Sequence, residues 1–162
     1  MITSWRLCNI AHAGLSGEGA ARYGGRWNPK GEHVVYSSEC LPLATLEAFV
    51  HLDRRPDNQV YVRIAFSEGL VERIENLCDL PLDWKDDEGV TRNLGAQWLR
   101  DRSSAVLSVP SAVVPLSRNY LINPKHDGFP LVSAPSRFRT TSMTGCCVPF
   151  ARSADSARSN ER

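Results

Sequence analysis

The cleanest alternation of apolar and polar positions in the chain runs over residues 59–66, with Val60, Val62, Ile64 and Phe66 on one side and Tyr61, Arg63 and Ala65 on the other. A period of two over that length predicts a β-strand. Upstream, His33-Val34-Val35-Tyr36-Ser37 predicts a shorter strand. A helix is predicted after it, because Pro42 suits a first turn and Leu43, Leu46, Phe49 and Val50 recur at helical spacing. Residues 10–31 are rich in glycine and small side chains and read as an irregular loop with a short helical turn near residues 18–22.

Downstream, residues 70–87 hold several acids, Pro81 and Trp84, and read as loop or short strand. A second helix is predicted from Thr91, its cap, through Leu94, Trp98 and Leu99. Residues 105–109 and 112–114 are β-rich runs split by Pro110-Ser111, and residues 119–124 add a short strand ending at a turn. This order predicts an α+β fold, a single domain with a mixed or antiparallel sheet. After residue 132 the periodic pattern stops. Residues 133–162 are mostly Ser, Arg, Thr and Ala, a composition that buries little surface, so the domain is expected over 1–132 and a poorly ordered tail over 133–162.

Composition fits one core: 162 residues, 42% of them hydrophobic. The 19 Lys+Arg and 18 Asp+Glu leave a charge of +1, too little for a chain-wide electrostatic grip on nucleic acid. An anionic small molecule remains open. No run of about 18 apolar residues occurs, so no membrane span is expected. Residues 1–9 lack the charged and apolar stretches of a signal peptide, and a cytoplasmic location is expected. Cysteines at 8, 40, 78, 146 and 147 form no CxxC pair, and histidines at 12, 33, 51 and 126 show no metal spacing. Reduced thiols and no metal are expected.

Candidate chemistry concentrates in Gly24-Gly25-Arg26-Trp27-Asn28-Pro29-Lys30-Gly31 and the two elements after it. Arg26 lies where glycines let backbone approach a phosphate and a guanidinium can bind it bidentately; the plainer reading is a surface salt bridge. Tyr36 either stacks on a flat heterocycle or fills the core. Glu47 shares a helix face with Leu43 and Val50, and carboxylates are seldom buried without a partner or purpose. Ser111 hydrogen-bonds either a substrate or a strand-end backbone group. His51 lies one turn after Glu47, as a support or a solvated side chain. Asn119, Asn123 and His126 flank a strand, where they line the same cleft or cap turns.

Together these segments resemble the RES-domain toxins of bacterial Xre–RES toxin–antitoxin pairs, a family named for Arg, Glu and Ser positions. The resemblance runs in order through Gly19-Ala20, Gly24 to Gly31, Val35-Tyr36-Ser37-Ser38, Leu43-Ala44-Thr45-Leu46-Glu47, Leu94-Gly95-Ala96-Gln97-Trp98-Leu99, Val109-Pro110-Ser111-Ala112-Val113-Val114 and Asn119-Tyr120-Leu121-Ile122-Asn123-Pro124-Lys125-His126. It implies a fold related to ADP-ribosyltransferases and an enzyme that degrades NAD, as its substrate, at the nicotinamide–ribose bond. In that family Arg26 would hold the diphosphate and Tyr36 would pack on nicotinamide or its ribose. Glu47 would bind the ribose hydroxyls and stabilise the developing positive charge, Ser111 would orient ribose or phosphate, and Asn123 would join the NAD-binding set. The implied partner is an Xre-type helix-turn-helix antitoxin, which carries the contact with DNA; a homodimer is left open. A mono-ADP-ribosyltransferase, or a catalytically impaired antitoxin-binding module, is the alternative. Beyond residue 132 the Ser/Arg-rich sequence departs from the family's closing segment and reads as a replaced C-terminus.

Overall fold

Seven segments pair into one sheet in the computed structural model, which describes residues 1–50 and 58–139. They are β1 (Ile2–Asn9), β2 (Val35–Ser38), β3 (Gln59–Phe66), β4 (Val71–Arg73), β5 (Val106–Pro110), β6 (Arg118–Ile122) and β7 (Ser133–Arg139). Their order is β4-β5-β6-β2-β1-β3-β7. Every pair is antiparallel except β4 with β5, so the sheet is mixed. The helices are α1 (Glu18–Tyr23), α2 (Leu41–Phe49), α3 (Ile74–Leu77) and α4 (Glu88–Asp101). The α+β expectation holds. Among the described residues no helix is long and apolar enough to cross a membrane.

Register assigns each side chain to a face. Trp5 stands opposite Ser38 and Arg63, Leu7 opposite Tyr61, Ser38 opposite Asn119, and Tyr36 opposite Leu121. Side chains directly opposite one another share a face, so these residues share one side of the sheet. Leu107, Val109 and Leu121 on that side pack with Trp98 and Leu99 of α4, while Tyr61 meets α2 through a 2.8 Å contact between its hydroxyl and Thr45 Oγ1. The opposite side carries Val35, Val60, Val62, Ile64, Phe66, Val106 and Ile122 in a second cluster, closed by Ala13 and Val132. Burying both faces leaves the first side with a gap between α2 and α4, over β1 and β2. The site lies there.

Several expectations need correction. β1 escaped the pattern because its second-cluster side carries a polar Ser4, buried beneath a 2.9 Å hydrogen bond from Ser37 Oγ. α4 starts earlier than expected: Asp87 is the cap, its Oδ1 accepting from Gly89 N (2.8 Å) and Val90 N (3.3 Å), whereas Thr91 is buried inside the helix. Residues 112–114 form a turn, because Ser111 Oγ accepts from the N–H groups of Val113 (3.1 Å) and Val114 (2.9 Å). On α2, Leu43 and Ala44 are buried but Leu46, Phe49 and Val50 are exposed, so the expected apolar stripe is not the packed face.

The limit expected at residue 132 also moves. β7 adds Ser133–Arg139 to the free edge of β3, with Phe138 and Trp5 rings 6.0 Å apart. Its register slips where Ala134 and Pro135 stand opposite Ile64, a bulge that accommodates the proline. An edge strand exposes much of its length, so a polar composition does not bar it. His51, Cys146, Cys147 and the remainder of the expected tail lie outside the described residues.

Candidate active site

A cleft of about 430 Å3 occupies the gap. Trp5, Tyr36, Ser38 and Asn119 of the sheet line it, Ala44, Glu47 and Ala48 of α2 form one wall, and residues 24–27 form the other. Arg26 and Glu47 therefore line one cleft, as the sequence reading requires. Glu47 owes its place to Ala44 and Ala48, whose small side chains leave room beside it, rather than to the expected Leu43–Val50 stripe.

The carboxylate of Glu47 is held from two sides. Its Oε1 accepts from Ser111 Oγ at 2.7 Å and from Asn119 Nδ2 at 2.6 Å. Both donors are fixed in turn. Ser111 is 2% exposed and accepts the two turn N–H groups, so its hydroxyl is fully used. Asn119 Oδ1 accepts from the buried Ser38 Oγ at 2.7 Å. No described residue donates to Oε2, which leaves that oxygen for a ligand. Ser111 thus lies behind Glu47, off the cleft wall, and meets the cleft only through that carboxylate. Asn119, left between cleft and turn by its sequence alone, proves to be a cleft residue; its pairing opposite Ser38 is the signal that only register supplies.

The opposite wall is a loop held by its own polar groups. Tyr36 donates its hydroxyl proton to Asn28 Oδ1 (2.7 Å) and accepts from Trp27 N (3.1 Å), while Asn28 Nδ2 donates to the carbonyls of Ala20, Pro29 and Glu32, each at 3.0 Å. Burial is the main reason the Tyr36 phenol is pushed above its ordinary value of 10.0; the Trp27 N–H opposes it in part. The ring thus faces the cleft while the hydroxyl ties down the loop. Gly25 has no room for a side chain, since a Cβ there would sit 2.7 Å from the Tyr36 hydroxyl. α4 clamps the loop from outside: Thr91 Oγ1 donates to Arg26 O (3.0 Å), Arg92 Nε to Gly25 O (3.3 Å), and a Cβ on Gly95 would lie 1.8 Å from Trp27 O.

Arg26 itself is one-quarter exposed, with Nη1 donating to Lys85 O at 2.9 Å and Nη2 lying 3.6 Å from Glu88 Oε1. Its backbone is fixed and its guanidinium is held by exchangeable surface partners. Asn123 and His126 are away from the cleft. Asn123 is buried at the end of β6, where its Oδ1 accepts from Lys125 N (2.9 Å), and His126 Nδ1 accepts from Gly128 N (2.8 Å). Asn123, expected among the NAD-binding residues, is not part of the cleft lining and caps a turn, the ordinary use of an asparagine beside a proline. Cys8, Cys40 and Cys78 are free thiols, and among the described residues no three His, Cys, Asp or Glu side chains are grouped to hold a metal.

The RES domain family matches residues 3–144, past the end of β7. A protein named Toxin Res from Pseudomonas putida is 38% identical over 126 residues, covering 75% of this chain and 84% of that protein. The Prs ADP-ribosylating toxin of a Sphingobium species is 37% identical over 137 residues, covering 78% of this chain and 85% of the relative. A solved structure, the M.tuberculosis MbcT-MbcA toxin-antitoxin complex, contains a chain that superposes with a TM-score of 0.69 at 18% identity, covering 86% of this chain and 84% of its own, which bears on the fold. By the extent of the family match and the identity to these relatives, the chain belongs to the RES domain family, the family of the Res toxins.

Proposed function

We propose that this RES-family toxin cleaves NAD at the nicotinamide–ribose bond. The observation that carries the reading is the placement of Glu47 and Arg26 on two walls of one cleft, with Glu47 held at a single oxygen. The cleft lies within the ~300–1,000 Å3 typical of small-molecule sites. Nicotinamide in NAD already carries positive charge, so it departs as a neutral molecule with both electrons of the C1′–N bond and needs no strong general acid. Positive charge then grows on the ribose C1′ and its ring oxygen. The fixed carboxylate of Glu47 stabilises that charge more in the transition state than in the ground state, which lowers the barrier. Its open Oε2 is free for the ribose hydroxyls. Tyr36 offers an aromatic wall for the nicotinamide ring, and Arg26 a guanidinium for the diphosphate.

Water completes the reaction as a hydrolysis, giving ADP-ribose and a proton; inorganic phosphate completes it as a phosphorolysis, giving a phosphorylated ADP-ribose. The name of the Sphingobium relative favours a second reading, in which a protein side chain is the acceptor and the chain is a mono-ADP-ribosyltransferase. All three break the same bond. In keeping with the toxin–antitoxin complex of the structural neighbour, the partner proposed is an antitoxin, of the Xre helix-turn-helix type.

The test is incubation of purified protein with NAD, with and without phosphate, followed by separation of the products. Nicotinamide release is expected, and the second product identifies the acceptor. Intact NAD after prolonged incubation with folded protein, both alone and with a bacterial lysate as the source of acceptor proteins, would reject the reading and leave the antitoxin-binding module.

A further inference from the structure

A second depression adjoins the cleft on the outer side of the arginine loop. Its cavity is about 560 Å3, and it shares Tyr23, Gly24, Gly25 and Arg26 with the cleft, so the two meet along that loop. Lys30, Glu88 and Arg92 complete the charged lining. Three cations thus face one carboxylate. Glu88 serves two of them: Oε2 lies 2.9 Å from Arg92 Nη2, and Oε1 lies 3.6 Å from Arg26 Nη2. Lys30 forms no ion pair among the described residues. An Arg–Glu pair one helical turn apart is ordinary on a surface. The sharing of that carboxylate with a loop arginine from a different element, beside an unpaired lysine, is not explained by helix spacing.

We propose that this second cavity is a phosphate-binding subsite, in which Arg26, Lys30 and Arg92 hold a phosphate group and Glu88 is the internal anion that the phosphate displaces. A carboxylate bridging two guanidiniums with one oxygen each marks where a tetrahedral anion with more acceptor oxygens would satisfy the same donors and reach Lys30 as well. Arg92 is steadied for the task because its Nε also donates to Gly25 O at 3.3 Å. The start of α4 is not the anion site, since the N–H groups of Gly89 and Val90 are already taken by Asp87. Around the cavity the surplus of two positive charges persists after Glu88 is counted. Only the source of the phosphate rests on the NAD reading: it is the diphosphate of a dinucleotide whose nicotinamide end fills the cleft, or free phosphate ion.

The experiment is calorimetric titration of the full chain with ADP-ribose and, separately, with inorganic phosphate, at low and high salt. Wild type is compared with Arg92→Gln, Lys30→Gln and Glu88→Gln, each checked for folding by its melting curve. Arg92→Gln is expected to weaken ADP-ribose binding about tenfold and Lys30→Gln less, because one charge-assisted contact to phosphate is lost. Glu88→Gln is expected to tighten it a few-fold, and all three shifts are expected to shrink at high salt. The same pattern with phosphate ion assigns the subsite to free phosphate, and the pattern with ADP-ribose alone assigns it to the dinucleotide. Affinities that none of the three changes moves, or no binding of either ligand at millimolar concentration, would overturn the subsite. NAD turnover by wild type is measured in parallel. A failure there, with the charge pattern intact, counts against the NAD reading and not against the subsite.

Discussion

On the α2 side of the cleft, Glu47 is held by Ser111 and Asn119, two donors that are themselves anchored by the turn at residues 111–114 and by Ser38. On the loop side the order is reversed. There the backbone is clamped by Thr91, Arg92 and the space left by Gly95, while the charged end of Arg26 rests on Lys85 O and Glu88 near solvent. The contrast matches what the proposed reaction asks of each charge. A group that stabilises charge appearing only in the transition state gains from being fixed beforehand, whereas a group that captures a mobile phosphate gains from partners it can exchange. The site is rigid where bonds would break and adaptable where substrate would enter.

The contrast is sharpened first at the carboxylate's supports. Removing either donor, by Ser111→Ala or Asn119→Ala, is expected to lower kcat for NAD by about tenfold to a hundredfold with little change in KM, the cost of losing one preorganised hydrogen bond. The double variant should fall well short of the product of the two, because both act through Glu47 Oε1. Steady-state kinetics on the three proteins checks this; strictly multiplicative losses would mean that the donors do not share one target.

On the loop side, Gly95→Ala is the sharpest change, because the added methyl would collide with Trp27 O. It is expected to cost about 1–3 kcal/mol in denaturant unfolding, as overpacking does, and to displace the Arg26 loop. A smaller effect, about 1–2 kcal/mol, is expected for Tyr36→Phe, which leaves Asn28 Oδ1 and Trp27 N without their partner. The Tyr36 phenol also gives an alkaline signature. Its folded pKa is raised by burial, so the stability it contributes is complete below pH 10.0 and declines as pH rises above that value. An ultraviolet titration should show a tyrosine that resists ionisation in the folded protein and is missing from the Tyr36→Phe curve.

The weakest effect is expected beside the site rather than in it. Arg118, next to Asn119 on β6, pairs with Glu75 through Nη1–Oε1 and through Nη2–Oε2 at 2.9 Å. That hydrogen-bonded pair is the main reason the Glu75 carboxyl lies below its ordinary 4.5. Its contribution is therefore present above pH 4.5 and lost as pH falls through the lower folded value. Because Glu75 is largely solvent-facing, Glu75→Gln should cost at most about 1 kcal/mol at neutral pH and less in acid, as read from melting curves across that range.

Much of this design was legible in the chain. The strand Gln59–Phe66 matches its alternation residue for residue, since one of its faces is uniformly apolar. The Gly24–Gly25–Arg26 loop, Tyr36 and Glu47 were found because their short sequence separation brings them together through local elements. What lay beyond local pattern was harder to read. β1 carries polar side chains on a buried face, β7 is a polar edge strand, and the true partners of α2 depend on which of its sides meets the sheet. Ser111 and Asn119 meet Glu47 only because β6 pairs with β2 and β5 pairs with β6, a long-range register that no spacing encodes.

The most direct test of the two-walled site is a comparison of kcat and KM for NAD in folded Glu47→Gln and Arg26→Gln proteins. Glu47→Gln is expected to lose about a thousandfold in kcat with KM nearly unchanged, and Arg26→Gln to raise KM about tenfold while retaining most of kcat. Equal turnover by Glu47→Gln and wild type would contradict the account.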